Sequence, residues 1–167
     1  MKTKEIISVN KVRESAENYF LNGFFCCEAV AASILDNFEL DLPKEVISMT
    51  SGMAVGVGHS GCMCGALNGG IMILGMFFGR NKPMGPFDPQ AVKCMELTHE
   101  LHDWFKKATK KNAVCCRVLT REFDTAKAEH KDQCMYFTGI CAAKTADIII
   151  RELGLEREDT ELDPVFM

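Results

Sequence analysis

The 167-residue chain lacks a surplus of charge of either sign, since 19 basic and 23 acidic side chains leave a formal net charge of −4. A nucleic-acid or anionic-membrane binder gathers phosphates with a basic excess, so no nucleic-acid partner is expected. Aromatic side chains are few, at 8% with a single Trp, and the five prolines fall at helix edges instead of in a linker. No Ser/Gly-rich stretch and no repeat of fixed period divides the chain, which predicts one domain over residues 1–167. From Met1 to Asn10 there is no apolar h-region and no small-residue cleavage site, so no secretory leader is expected and the cytoplasm is the predicted compartment. Cys-x-x-Cys is absent too, which removes the thioredoxin motif and the paired zinc-ribbon motif. No phosphate-cradling loop and no Ser/His/Asp order is present, and Gly52, Gly56, Gly58 and Gly61 do not form a dinucleotide fingerprint after a strand. Catalysis beyond electron transfer has no motif to rest on.

What is present is cysteine, nine in all, within a composition that is 47% hydrophobic and 25% charged, as in ordinary globular proteins. An odd count cannot pair completely within one chain, and cytosolic thiols are kept reduced. Metal binding or redox chemistry is therefore expected ahead of a structural disulfide framework.

Periodicity predicts an all-α, compact multi-helix bundle. Val9, Val12, Ala16 and Tyr19 follow helical spacing up to Gly23, and a second helix runs from about Phe25 to Asp36. Asp41 and Pro43 start a short helix through Met49. From Val46 to Gly79 there is no Asp, Glu, Lys or Arg, so this stretch must be buried on nearly all sides. Ser60 is the expected cap of a central helix over Gly61 to Gly79, whose glycines at spacings of four allow close contact with a neighbouring helix or with a second copy, a homodimer. Six glycines, Asn68 in the middle and two cysteines at one end make this segment a buried core helix instead of a membrane span. Asp88-Pro89 starts an amphipathic helix whose outer face carries Lys93, Glu96, Glu100, Asp103, Lys106 and Lys107, with Asp103 and Lys107 spaced for an ion pair. A short helix follows Asn112, and a last one carries Cys134, Thr138, Cys141, Thr145, Ile148 and Ile149 on one side before Gly154. No segment alternates as a strand does.

Three cysteine groups lie at expected helix starts: Cys26 and Cys27 after Gly23, Cys62 and Cys64 after Ser60, Cys115 and Cys116 after Asn112. The first turn of a helix offers unpaired N–H groups and the positive end of the macrodipole, which favour a thiolate or a bridging sulfide. A tetrathiolate iron–sulfur centre is anionic and would gain from several such starts meeting on it, whereas any one cysteine by itself is equally a small buried hydrophobe. His59, three residues before Cys62, is placed to donate to sulfur, replace a ligand or shuttle a proton, or is a plain loop histidine. Arg117 is a candidate to neutralise cluster charge or to pair on the surface near Glu122. Glu96-x-x-His99 has the spacing of a di-iron ligand pair but lacks the second pair that such a site needs.

Cys64-Gly65-Ala66-Leu67-Asn68-Gly69 resembles the Cys-Gly-Ala-x-x-Gly signature of the C_GCAxxG_C_C family of redox-active proteins, which is related to the iron–sulfur portion of split-Soret cytochrome c. Gly23-Phe24-Phe25-Cys26-Cys27-Glu28-Ala29-Val30 is similar to the family's Gly-Tyr-Asn-Cys-Ala-Gln-Ala-Val segment, Cys116-Arg117-Val118-Leu119 is similar to its Cys-Arg-x-Leu segment, and Cys134 precedes a terminal helix as the family's last cysteine does. The resemblance covers about residues 10 to 153. It implies an all-helical domain whose Cys26, Cys64, Cys116 and Cys134 hold an iron–sulfur centre of unspecified type and exchange electrons with a redox partner protein. Phe25 and Cys27 depart from the pattern, and Cys62, Cys94, Cys115 and Cys141 are additional, so ligand choice stays open at each vicinal pair and between Cys134 and Cys141. Two alternatives stand beside it: a metal-free thiol/disulfide protein cycling at Cys26-Cys27 or Cys115-Cys116, and a structural zinc domain.

Overall fold

The computed structural model describes residues 2–123 and 128–159, so the ends of the predicted 1–167 domain lie outside the described residues. The fold is all-α. Ser8 caps α1 (Val9–Leu21), its hydroxyl accepting from the Lys11 N–H at 3.1 Å. Next come α2 (Cys26–Asn37) and the short α3 (Glu45–Ser48). A 3-10 turn (Ser51–Met53) then leads into α4 (Ala54–Val57), a turn more than a helix. The uncharged stretch supplies α5 (Gly65–Phe78), and Asp88 caps α6 (Pro89–Ala108) by accepting from the Ala91 N–H at 3.0 Å. The one-turn α7 (Cys116–Leu119) and the long α8 (Ala128–Leu153) complete the bundle.

The central helix starts later than expected. Ser60 does not cap it; Cys64 is its N-cap, and residues before Cys64 form a separate loop. The reason lies in a run of left-handed backbone, with φ of 52° at Val55, 68° at Gly56, 56° at Val57, 57° at Gly58 and 66° at His59. Left-handed angles cost a β-branched residue roughly 1–2 kcal/mol. They turn the chain back so that Gly56 lies against Gly61 and Cys62, where a Cβ would stand 2.5 Å from the Gly61 carbonyl carbon.

Helix α5 packs against α2, α6 and α8, while α1 lies across α2 and α8. The glycine face serves these internal contacts: a Cβ on Gly69 would meet the Cys27 carbonyl oxygen at 2.7 Å and one on Gly70 the Thr145 hydroxyl at 2.6 Å. Ile34, Phe38, Leu67, Leu74, Leu101, Phe105, Ile140 and Ile149 are fully buried around it. Buried Ser33, Thr138 and Thr145 donate their hydroxyls to carbonyls three or four residues back, so burial leaves them satisfied. The one strand-like feature among the described residues is a two-residue parallel pair, β1 (Ile6–Ile7) with β2 (Glu156–Arg157), too short to show as alternation. No helix among them is long and apolar enough to cross a membrane.

Candidate functional site: a four-cysteine cavity

Four cysteines, each from a different helix, line one cavity. Cys26 is the first residue of α2, Cys64 caps α5, Cys116 opens α7, and Cys134 lies in the second turn of α8. Gly65, Ala66, Leu119, Thr120 and Phe137 complete the lining of a gap of about 20 Å³, room for roughly one water. Gly65 is required by the close approach of Cys26, because a Cβ there would stand 2.5 Å from Cys26 Sγ. Two backbone bonds hold the loop before α5 against α7 and the loop before it: the Cys64 N–H donates to the Val114 carbonyl at 2.8 Å and the Arg117 N–H to the Gly61 carbonyl at 2.9 Å. These bonds bring Cys64 and Cys116 into the same space from distant parts of the chain.

Burial dominates the electrostatics. It pushes the Cys64 thiol up to about 12, with the charges of Cys116 and Cys134 adding to the rise; first-turn N–H groups of Ala66 and Leu67 pull it back. Cys134 is pushed up to about 11 by burial and by Cys116. Cys116 is raised by burial against a hydrogen bond with Thr120. Cys26 is raised by the hydrogen bond that it shares with Cys27, then by burial and by its sulfur neighbours, while the same hydrogen bond lowers Cys27. The four cavity thiols are thus neutral near pH 7. Four thiolates can coexist there only with a compensating cation among them.

The other candidates sit elsewhere. Cys27 is fully buried with its backbone against Gly69 of α5. Cys62 and Cys115 form a disulfide across the two loops, so the expected set of free thiols is reduced to Cys26, Cys27, Cys64, Cys94, Cys116, Cys134 and Cys141. Cys115 is thereby linked to a distant partner and not to its neighbour. Cys141 is fully buried one helical stretch below Cys134, its thiol donating to the Ala66 carbonyl at 3.2 Å. His59 and Arg117 are exposed and do not line the cavity, and Glu122 pairs with Lys111. His99 and His102 stack beside one another and both reach Asp103, which takes that carboxylate away from Lys107.

One residue was not anticipated: His130, whose Nε2 lies 3.7 Å from Cys134 Sγ. Its signal is in the sequence, since residues four apart on a helix share a face.

A helical bundle with four sulfur donors meeting from four elements is a thiol-rich, redox-type domain. Residues 24–148 match the family described as "Putative redox-active protein (C_GCAxxG_C_C)", and the chain belongs to that family. No curated protein and no solved structure matches the chain.

Proposed function

We propose that the protein is a small electron carrier of the cytoplasm in which Cys26, Cys64, Cys116 and Cys134 ligate an iron–sulfur cluster and exchange electrons with an oxidoreductase partner. The observation that carries this reading is the convergence of these four thiols on one cavity. A bound cluster supplies reversible one-electron transfer. The chain supplies the rest. Ala66, Leu119 and Phe137 keep the surroundings apolar, the N–H groups of Ala66 and Leu67 favour anionic sulfur at Cys64, and His130 stands beside Cys134. The gap as it stands has room for about one water, so a cluster would need the facing side chains to move apart.

A single zinc ion is the alternative metal reading. Tetrahedral Zn–S bonds near 2.3 Å draw four sulfurs to within about 4 Å of each other. No three His, Cys, Asp or Glu side chains among the described residues form a group that could hold a metal ion as they stand, so either metal reading requires the four cavity thiols to rearrange on loading. The metal-free thiol reading falls on Cys26-Cys27 or Cys115-Cys116, whereas Cys26, Cys27 and Cys116 are free thiols and Cys115 is joined to Cys62.

Protein purified without oxygen should be brown and contain stoichiometric iron and sulfide. Replacing any of Cys26, Cys64, Cys116 or Cys134 by Ser should abolish the visible band, whereas Cys94→Ser, on α6 away from the cavity, should retain it. Colourless, iron-free protein from anaerobic cells overturns the reading.

A further inference from the structure

We propose that Cys62–Cys115 is a redox-active disulfide, a second redox centre beside the four-cysteine cavity, which exchanges with a dithiol through Cys62. The bond joins residues 53 apart in sequence. As residues, Cys62 is exposed and Cys115 half-buried, so the Cys62 side of the bond is the more open approach for an incoming thiol. The disulfide is not the sole link between the two loops. The Cys64 N–H to Val114 carbonyl bond and the Arg117 N–H to Gly61 carbonyl bond flank it. Opening the disulfide therefore leaves Cys115 held close to Cys62, ready to close it again. The left-handed turn over residues 55–59 presents Cys62 at the surface of this bridge, and Gly56 and Gly61 permit the approach. A buried staple lacks an exposed cysteine residue of this kind.

The exchange is balanced within the pair and its partner. A thiolate of the dithiol forms a bond to Cys62 Sγ as the Cys62–Cys115 bond breaks, and that bond's electron pair leaves on Cys115 Sγ, which takes up a proton. The dithiol's second sulfur then attacks its own first sulfur, releasing Cys62 as a thiol. Two electrons and two protons pass to the cysteine pair, and the dithiol departs as a disulfide. Run backwards, the reduced pair reduces a disulfide.

This inference stands independently of the proposed cluster. The native protein is incubated with a reduced Cys-x-x-Cys peptide, quenched in acid, denatured, alkylated and mapped. Alkylated cysteines should rise from the seven free thiols to all nine, with the gain at Cys62 and Cys115, helical circular dichroism unchanged, and the count returning to seven on addition of the oxidised peptide. In Cys115→Ser, oxidised glutathione should attach first at Cys62. A pair that opens only after denaturation is a structural staple, and nine reactive thiols at the outset mean that no pair forms; either result overturns the proposal, as does a gain at other cysteines. Iron and sulfide are assayed on the same samples. Iron-free protein that still exchanges condemns the cluster alone, and iron-loaded protein with an inert pair condemns the disulfide alone.

Discussion

At the scale of single residues, the cavity depends on an absent methyl as much as on four sulfurs. Gly65 is the first residue of α5, and a Cβ there would stand 2.5 Å from Cys26 Sγ and 3.2 Å from the Met53 carbonyl. Gly65→Ala should destabilise the fold by about 1–3 kcal/mol through overpacking and displace Cys26, measured by urea unfolding together with iron content. Gly75, on the same helix, has nothing within 4 Å of a Cβ. Gly75→Ala should stabilise the fold by about 0.5–1 kcal/mol with iron content unchanged, because alanine has less backbone freedom to lose. The pair of variants separates the need for space at the sulfurs from the general cost of glycine in a helix. The vicinal cysteines were ambiguous at this same scale. Neighbours at a helix start point about 100° apart, so only one of Cys26 and Cys27, and one of Cys115 and Cys116, can turn into a given space.

At the scale of elements, charge joins α6 to α8 on the outer surface of the bundle. Arg151 grips Glu100 with two hydrogen bonds, at 2.9 and 2.7 Å, and Lys144 adds a third contact at 3.1 Å. The Arg151 bonds, with Lys144, hold the Glu100 carboxyl down to about 2 from the usual 4.5. A carboxylate whose folded value is depressed stabilises the fold above its unfolded value and loses that contribution as pH falls towards the folded value. Wild-type stability should therefore decline between about pH 4.5 and about pH 2, and Glu100→Gln should show a shallower decline over that window in urea midpoints. The contribution is modest because the group is partly solvated and screened by salt. Helix spacing had located this charged face correctly on α6. The partners were set by what packed beside it, since α8 supplies Arg151 and Lys144 from 51 and 44 residues away by number.

At the scale of the whole molecule, the two ends of the described chain meet. β1 pairs with β2, and Asp159 accepts from the Ser8 hydroxyl at 2.7 Å and from the Asn10 N–H at 3.1 Å, so the start of α1 is capped from the far end of the sequence. Asp159→Ala should lower stability by about 1 kcal/mol with iron content unchanged, read by thermal unfolding beside an iron assay. Such a clasp has no local signal, because neither end carries the pattern of a strand and their proximity follows from how α8 returns along α1. The helices themselves were legible in advance: apolar spacing, the Ser8 and Asp88 caps and the uncharged run from Val46 to Gly79 place most of them, since these depend on near neighbours in sequence. The start of α5 was misplaced because a run of left-handed residues, two of them valine, is set by packing around Gly56 and Gly61 and not by local preference. Sequence alone thus determined an all-helical chain with a buried glycine-rich centre and a set of sulfur atoms at helix starts. Tertiary structure alone decided which of those sulfurs share a cavity and which two join as a disulfide, because the rotation of each helix about its axis is fixed only when its neighbours pack against it.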